Sequence, residues 1–377
     1  MKILILSCTT GEGHNSAAKA LKFYFDQNGD ECYMADAIAF RSETISKIVA
    51  EGHVFIYTKT PKIFDIVYNG AEIFAKKETS RHDSVIFKLL AKGADKLYEY
   101  IVEHNFDRIV CFHPFAAQML TKVFRDHPDL RQIPSYLIAT DYTASPGAGE
   151  SKVDVYITPH RDVEHEFVRR GVPKAKIIPV GIPINPAYTS LPTREQARDM
   201  LELSQDDRVV ILMSGSMGCG PIAKIAGMLT AQMSGDTTLV IICGRNEKLY
   251  KDLTPMASKN EKVRLLGFTD KLPMYMSAAD LMLSKPGGLS STEAACARLP
   301  MVIIDAVAGC ETYNLNFFVN NGFSVTANTP EGIVRETLAL LYDDERLSAI
   351  REKLRENFSS DTAYRIYDIV REGRGND

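Results

Sequence analysis

The same short pattern occurs in both halves of this 377-residue chain: an apolar run, a glycine-rich turn, and a segment with apolar residues at helical spacing. In the first half, Lys2–Ser7 leads through such a turn into Ser16–Phe25. In the second half, Val209–Met213 leads through another into Ile222–Met233. Strands that alternate with helical segments are typical of βαβ units in parallel sheets. The chain is therefore predicted to be an α/β protein.

Two Rossmann-like domains, with parallel sheets facing a central cleft, are the simplest arrangement that this pattern supports. Three prolines and a glycine within residues 179–186 indicate a stiff connector. The predicted domains are residues 1–183 and 184–377, with a C-terminal helix near 359–372 as a candidate to pack back on the N-terminal domain. Further strands are predicted at Arg108–Phe112, Ser135–Ala139, Val153–Thr158, Leu239–Cys243, Val263–Leu266, Ala278–Ser284 and Met301–Ile304.

A helical insertion is predicted at about residues 41–103, where aromatic residues alternate with lysines. One interpretation is a set of ordinary amphipathic helices packed on the sheet. The other is an interfacial or acceptor-binding surface, because apolar rings and basic side chains suit anionic headgroups. The sequence leaves both open.

The composition excludes several classes of protein. With 45% hydrophobic and 24% charged residues and a net charge of −4, the chain has no basic excess that would indicate nucleic-acid binding. Its seven cysteines are scattered and are expected to be free thiols in a reducing cytosol. No apolar stretch approaches the ~20 residues that a membrane-spanning helix needs, so any contact with a membrane is expected to be peripheral.

The segment that follows Ala278–Ser284 carries the sharpest chemical signal. Gly287 and Gly288 form a turn directly before a helical segment. Backbone N–H groups at a helix start, with glycines that allow close approach, suit a phosphate or diphosphate. Glu293, one turn into the helix, can reach ribose hydroxyls. The segment predicts a nucleotide-diphosphate site.

Other residues of the second half extend this site. Gly215 and Gly218 form another turn of backbone donors, and Phe268 can close on a planar base through its main chain. Glu311 and Asn314 lie three residues apart at a predicted helix start, which places them on one face. A carboxylate and an amide there suit sugar hydroxyls, although Glu311 can equally be an acid that stabilises the helix N-terminus.

The first half offers a candidate general base. His14 lies at the start of a helix, where the macrodipole disfavours the cationic imidazole. His113 and Asp141 each follow a predicted strand, so all three side chains are expected at one edge of the sheet. Asp141 is a candidate to orient His14. Each residue can also be merely structural, with His14 capping its own turn.

No metal is expected. The chain has no Asp-x-Asp pair, which metal-dependent nucleotide-sugar enzymes commonly use to hold Mn²⁺ or Mg²⁺. The charge of a leaving diphosphate would then be balanced by helix N-termini and backbone N–H groups.

Four stretches resemble motifs of the monogalactosyldiacylglycerol synthases and the bacterial processive diacylglycerol glucosyltransferases, and more distantly those of the lipid II-forming peptidoglycan glycosyltransferase. The resemblance implies a GT-B fold, a UDP-sugar donor (UDP-glucose or UDP-galactose) in the C-terminal domain and a lipid acceptor at the N-terminal domain. The stretches are Gly11–Ala18, Thr140–Tyr142, Lys285–Ala294 and Gly309–Asn314.

Carried over by position, the resemblance implies catalytic roles for His14 and Asp141 and an acceptor site at Gly11, Gly13 and His113. Cys310 stands where relatives often have glutamine, and the run Thr143–Gly149 lacks their usual aromatic residue and histidine. The implied donor-binding residues are Gly215, Ser216, Gly218, Phe268, Lys285, Gly287, Gly288, Leu289, Ser290, Glu293, Glu311, Thr312 and Asn314.

The resulting hypothesis is an inverting, peripherally bound glycosyltransferase on the cytosolic face of a membrane, which moves a hexose from a UDP-sugar to a diacylglycerol-type lipid without a cofactor. Alternatives are a different acceptor, a UDP-sugar epimerase on the same scaffold, and an inactive UDP-sugar sensor. An NAD-dependent oxidoreductase is a further alternative, but Ser16 occupies the position of the third glycine of the dinucleotide fingerprint.

Overall fold

The computed structural model describes residues 1–8, 12–42, 44, 85–213, 215, 220–304 and 309–373. They divide into two compact units. The first comprises the described residues within 1–186, 307–313 and 361–377, and the second those within 187–306 and 314–360. The boundary between residues 183 and 184 stays a prediction, and residues 43 and 45–84 of the predicted insertion lie outside the described residues.

A six-stranded sheet in which all neighbouring strands run parallel forms the centre of the first unit. Its strands are β1 (Lys2–Ser7), β2 (Glu31–Asp36), β3 (Arg108–Cys111), β4 (Ser135–Ile138), β5 (Val155–Thr158) and β6 (Ile177–Pro179). Their spatial order is β2-β1-β3-β4-β5-β6.

The second unit contains another six-stranded parallel sheet. Its strands are β7 (Arg208–Met213), β8 (Thr237–Ile242), β9 (Val263–Leu266), β10 (Leu281–Ser284), β11 (Met301–Ile303) and β12 (Ser324–Thr326). Their spatial order is β12-β11-β10-β7-β8-β9. The predicted α/β class with two parallel sheets is confirmed.

The α-helices of the described residues fall between these strands and at the end of the chain. Those within 12–169 are α1 (Glu12–Gln27), α2 (Ala37–Arg41), α3 (Val85–Leu90), α4 (Ala94–His104), α5 (Pro114–Asp126) and α6 (Glu164–Arg169). The later ones are α7 (Arg194–Met200), α8 (Ile222–Gln232), α9 (Glu247–Ala257), α10 (Leu272–Ala278), α11 (Gly288–Cys296), α12 (Cys310–Asn320), α13 (Pro330–Leu341), α14 (Asp344–Asn357) and α15 (Thr362–Glu372).

Three strands that the sequence pattern did not predict, β2, β6 and β12, all lie at sheet edges. In β2 every residue is at least partly exposed, and β6 and β12 have only three residues each. The central strands are different: β8 is buried along its whole length. A continuous apolar run arises only where both faces of a strand are covered. The three missed strands therefore lack the apolar run by which the central strands were predicted.

Two helices, α14 and α15, end the described part of the chain. The backbone is extended at Phe358, after α14, and α15 begins at Thr362. Within the first unit, α15 packs on α1, with the rings of Phe25 and Tyr367 5.3 Å apart. The Thr362 hydroxyl donates to the carbonyl of Ile182 at 2.8 Å, which fixes the first turn of this helix.

Candidate active site

His14 lies in the first turn of α1, directly after the turn that follows β1. The helix begins at Glu12, four residues before the predicted segment, so the expectation that His14 stands at a helix start is confirmed. The Ser7 hydroxyl, at the end of β1, donates to Asn15 Oδ1 at 2.7 Å and ties the helix start to the strand. Gly13 belongs to the same turn, whereas Gly11 lies outside the described residues.

A side-chain hydrogen bond joins the His14 ring to Thr140, a residue to which the sequence pattern gave no role. Thr140 Oγ1 lies 2.6 Å from His14 Nδ1, and its residue is buried just beyond β4. Asp141 was the predicted orienting group; its negative charge favours the protonated form of the His14 ring, and its orienting role stays a prediction. The only available signal for Thr140 was its place beside Asp141 in the quoted motif.

The surroundings of His14 favour a neutral imidazole. Burial lowers the pKa of the ring below its usual value, while the negative charge of Asp141 and the backbone carbonyl of Phe112 act in the opposite direction. A neutral ring at neutral pH has a lone pair available on one nitrogen. The site can therefore accept a proton at His14.

His113 touches His14 and also caps α5. Its ring centroid lies 4.8 Å from that of His14, with the planes inclined at 78°. Its Nδ1 accepts the backbone N–H of Phe115 at 3.1 Å, so the proton of the neutral ring is on Nε2. The structure thus places His113 beside the candidate base, and its acceptor-binding role stays a prediction.

A small pocket lies against His14, Thr140 and Asp141 within the first unit. Most of its wall is apolar, including Phe112 and Phe167. The strand ends therefore bring the predicted polar groups together, as expected for the carboxyl edge of a parallel sheet. The lining residues are His14, Phe112, Pro114, Leu137, Ile138, Ala139, Thr140, Asp141, Thr143, Ser145, Ala148 and Phe167.

The segment after Asp141 is fixed by contacts with residues that lie outside it in the sequence. Glu166 Oε2 accepts both the hydroxyl of Thr143, at 2.6 Å, and the backbone N–H of Ala144, at 3.2 Å. At Gly149 a Cβ atom would overlap the carbonyl oxygen of Arg170. This loop therefore has a fixed backbone, and most of its residues are small.

In the second unit, β10 leads through Gly287 into α11, as predicted. Gly287 is the N-cap in an extended conformation, and within the described residues no side chain caps this helix. The first N–H groups of a helix have no intrahelical acceptor. Leu289 and Ser290 are partly exposed in this turn, whereas Gly288 is buried. The arrangement suits an anion such as a diphosphate.

Two predicted donor residues of this region are buried. Asn314 is fully buried, and its Nδ2 donates to the carbonyl of Pro286 at 2.9 Å. Lys285 is 6% exposed. The structure gives Asn314 a supporting contact one residue from Gly287, and direct contact of either residue with a ligand stays a prediction.

Glu293 lies on α11; the residue as a whole is partly exposed, but its carboxyl group is buried. Burial raises the pKa of this carboxyl group to about 8. At neutral pH the group is therefore mostly protonated, and it can donate as well as accept a hydrogen bond.

Phe268 follows β9 and is 66% exposed, an unusual position for an aromatic ring. The guanidinium group of Arg245, which follows β8, lies over this ring at 5.4 Å from its centroid. Both residues stand at the carboxyl ends of their strands, where ligands of parallel sheets bind. The proposed contact of Phe268 with a base remains a prediction.

The remaining predicted donor residues are placed less completely. Gly215 follows β7 with φ +62°, a conformation that favours glycine, whereas Ser216 and Gly218 lie outside the described residues. Glu311 and Thr312 lie in the first turn of α12 and are partly or fully exposed. Their roles stay predictions.

Among the described residues, no group of three or more His, Cys, Asp or Glu side chains is arranged to hold a metal ion. Six described cysteines are free thiols; three of them are buried, and Cys32, Cys296 and Cys310 are partly exposed. No helix in the described part of the chain is long and apolar enough to cross a membrane.

Comparison with known families links the two halves to glycosyl transfer. Residues 14–184 match the family model described as monogalactosyldiacylglycerol (MGDG) synthase, and residues 222–358 match the model described as glycosyl transferases group 1. A processive diacylglycerol beta-glucosyltransferase of Bacillus cytotoxicus is 24% identical over 380 residues, which cover 98% of this chain and 93% of that protein. The resemblance predicted from the motifs is confirmed.

Solved structures share the fold. MurG of Acinetobacter baumannii has a TM-score of 0.68 at 17% identity, covering 99% of this chain and 100% of that chain. A UDP-GlcNAc 2-epimerase of Neisseria meningitidis bound to UDP-GlcNAc has a TM-score of 0.61 at 12% identity, with coverage of 99% and 100%. Together with the two six-stranded parallel sheets, these likenesses confirm the predicted GT-B fold.

Proposed function

We propose that this chain, a GT-B relative of the monogalactosyldiacylglycerol synthases and the processive diacylglycerol glucosyltransferases, moves a hexose from a UDP-sugar to the hydroxyl of a diacylglycerol-type lipid. It is a glycosyltransferase, and the proposal concerns the donor, the acceptor and the mechanism. The donor is UDP-glucose or UDP-galactose. The protein works as a peripheral protein on the inner face of the membrane and needs no cofactor.

The observation that carries this proposal is the hydrogen-bonded His14 beside a pocket, in the unit that matches the MGDG synthase model. A glycosyl transfer to an alcohol needs a group that takes the hydroxyl proton as the oxygen attacks. His14 has the chemistry and the surroundings for that task. The apolar wall of the pocket suits the part of a lipid that adjoins its hydroxyl.

The proposed reaction is a single displacement. The acceptor hydroxyl transfers its proton to His14 while its oxygen forms a bond to the anomeric carbon of the sugar. The bond between that carbon and the diphosphate oxygen breaks, and UDP leaves with its electron pair. Because attack and departure occur on opposite faces, the anomeric configuration inverts.

The second unit supplies the donor site in this proposal. The N–H groups at the start of α11 and its macrodipole stabilise the charge that develops on the leaving diphosphate. Glu293 on the same helix binds the ribose, and the exposed Phe268 adjoins the uracil. Main-chain donors do the work that a metal ion does in other nucleotide-sugar enzymes.

The deciding experiment is mass spectrometry of lipids formed from diacylglycerol micelles with UDP-glucose and UDP-galactose offered separately. One added hexose per lipid supports the transfer, further additions indicate processivity, and the two donors reveal the preferred sugar. His14→Ala is expected to lower turnover by ~10²–10⁴-fold while UDP binding persists. If the His14→Ala variant keeps full activity, His14 is not the general base.

A UDP-sugar epimerase is the second candidate, because a protein of that name, solved with UDP-GlcNAc, shares the fold over the whole chain. An epimerase converts the sugar nucleotide without an acceptor. Incubation with UDP-sugars in the absence of lipid distinguishes the two: an altered free sugar nucleotide supports the epimerase, and an unchanged donor supports the transferase.

A further inference from the structure

We propose that Thr140 is a positioning residue that holds His14 in the tautomer with its proton on Nδ1, so that Nε2 is left to accept the proton of the substrate. The inference rests on the proposed function, in which His14 is the general base. It assigns to a neutral hydroxyl the task that a carboxylate performs in many histidine-dependent enzymes.

The contact is short and its geometry is imposed by the fold. Thr140 Oγ1 lies 2.6 Å from His14 Nδ1, and Thr140 is 7% exposed. The backbone on one side of Thr140 belongs to the sheet through β4. On the other side, Thr143 and Ala144 are bonded to Glu166. The hydroxyl therefore stays in place without any contribution from a ligand.

A hydroxyl can face an imidazole nitrogen in two ways. If Oγ1 accepts the N–H of Nδ1, then Nε2 carries a lone pair and can act as a base. If Oγ1 donates to Nδ1, the ring proton is on Nε2, and that nitrogen cannot accept a proton from a substrate. The first arrangement is the active one, and the second leaves the ring with no unoccupied lone pair.

Three neighbouring residues influence the protonation of the His14 ring. Asp141 contributes a negative charge that favours the protonated ring. His113 has its Nδ1 committed to the N–H of Phe115, so it presents either its Nε2–H or its ring edge to its neighbours. Thr140 differs from both residues: its Oγ1 lies within hydrogen-bond distance of His14 Nδ1, and its side chain carries no charge.

The absence of charge on Thr140 has a consequence for pH dependence. A carboxylate bonded to Nδ1 would favour the imidazolium and raise the pKa of the ring. A hydroxyl fixes the tautomer and leaves the ring neutral down to lower pH. His14 can therefore accept a proton down to a lower pH than a histidine whose Nδ1 is bonded to an aspartate.

The test compares Thr140→Val, which removes the hydroxyl at nearly constant shape, with Thr140→Ser, which keeps it. The first readout is two-dimensional ¹H–¹⁵N NMR of protein labelled at histidine, which reports the protonated ring nitrogen without any turnover; His14→Ala identifies the His14 signals. The second is kcat as a function of pH, with thermal denaturation as the control for folding and UDP affinity by calorimetry as the control for the donor site.

In the wild-type protein and in Thr140→Ser, the neutral His14 ring is expected to carry its proton on Nδ1. In Thr140→Val the two tautomers are expected to mix, and kcat is expected to fall roughly tenfold, the effect of about one lost hydrogen bond, with UDP affinity unchanged. A ring proton on Nε2 in the wild-type protein overturns the proposal, even if the valine variant fails to fold. So does an unaltered tautomer and pH profile in Thr140→Val.

The two proposals fail separately. If no acceptor is ever glycosylated but the His14 tautomer still depends on the Thr140 hydroxyl, the proposed function is wrong and the positioning contact is upheld. If glycolipid forms at the wild-type rate in Thr140→Val, the positioning role is wrong and the transferase is upheld.

Discussion

The imidazole rings of His14 and His113 meet edge to face, with centroids 4.8 Å apart and planes inclined at 78°. The Nδ1 atoms of the two rings have different partners: His113 Nδ1 accepts the backbone N–H of Phe115, and His14 Nδ1 faces the hydroxyl group of Thr140. One strand end thus supplies a candidate base and the next supplies a histidine that also caps a helix. The pair joins the chemistry of the site to the stability of α5.

His113→Ala is expected to destabilise the protein by about 0.5–2 kcal/mol, the usual cost of a lost N-cap. His113→Asn is the matched control, because its side-chain oxygen can accept the same backbone N–H. Urea denaturation of both variants measures the difference. Equal destabilisation by alanine and asparagine would show that the cap contributes little.

Removing the charge of Asp141 is expected to shift the pH dependence of catalysis. Because that charge raises the pKa of His14, Asp141→Asn lowers it further, and the acidic limb of the kcat/KM profile moves to lower pH. Rates measured from neutral pH down to about pH 5 test this against the usual histidine pKa of about 6.5. Asp129→Asn, at an exposed site, serves as the control. An acidic limb that stays in place or moves to higher pH contradicts the assignment.

The raised pKa of Glu293 predicts a pH-dependent stability. Its folded-state pKa of about 8 exceeds the ordinary value of 4.5, so the folded protein holds this proton more tightly than the unfolded chain does. The contribution is complete below about pH 4.5 and is lost as the pH rises towards about 8. Glu293→Gln, which does not titrate, should gain stability over the wild type across that range in urea denaturation. A constant difference between the two proteins would refute the shift.

Asn314→Ala is expected to weaken both the fold and the binding of UDP. The substitution leaves the carbonyl of Pro286 without the amide that donates to it, at a cost of about 1–3 kcal/mol. Because Pro286 adjoins Gly287, the start of α11 should lose definition and UDP should bind less tightly. Urea denaturation and calorimetry with UDP measure the two effects, and Asn321→Ala, at the residue that follows this helix, is the control. If the Asn314→Ala variant is less stable but binds UDP as tightly as the wild type, Asn314 contributes to stability and not to UDP binding.

Two glycine substitutions should act in opposite directions. Gly149→Ala places a Cβ atom against the backbone carbonyl of Arg170, which cannot move without its chain, and should cost about 1–3 kcal/mol. Gly227→Ala lies in α8 with open space around the new methyl group and should add roughly 0.5–1 kcal/mol. Thermal denaturation ranks the three proteins. Equal or inverted effects would contradict the packing of the loop after Asp141.

The central strands and the helix starts could be predicted from the sequence because local physics determines them. Thr193, the N-cap of α7, forms a full capping box with Gln196, a pattern that neighbouring residues alone determine, and the glycine turn before α11 lies where its two glycines indicated. The edge strand β2 was missed because it is half-exposed, and its last residue, Asp36, caps α2 through the N–H of Ile38.

The candidate site could be predicted only as a set of strand ends. Sequence spacing brought His14, His113 and Asp141 to one edge, but it could not reveal that the residue before Asp141 makes the hydrogen bond. That choice depends on which of two neighbouring side chains points at the ring, and adjacent residues after a strand differ in direction. The inward position of Asn314 was likewise decided by packing, since its spacing from Glu311 suggested a shared open face.

The packing of α15 on α1 fixes an order of events during protein synthesis. Phe25 is covered by Tyr367, so one face of the first unit is closed by a segment that the ribosome makes only after the whole second unit. During synthesis the first unit therefore exposes the apolar surface around Phe25 until α15 has been made. Its folding can be completed only after the segment between α1 and α15 has been translated.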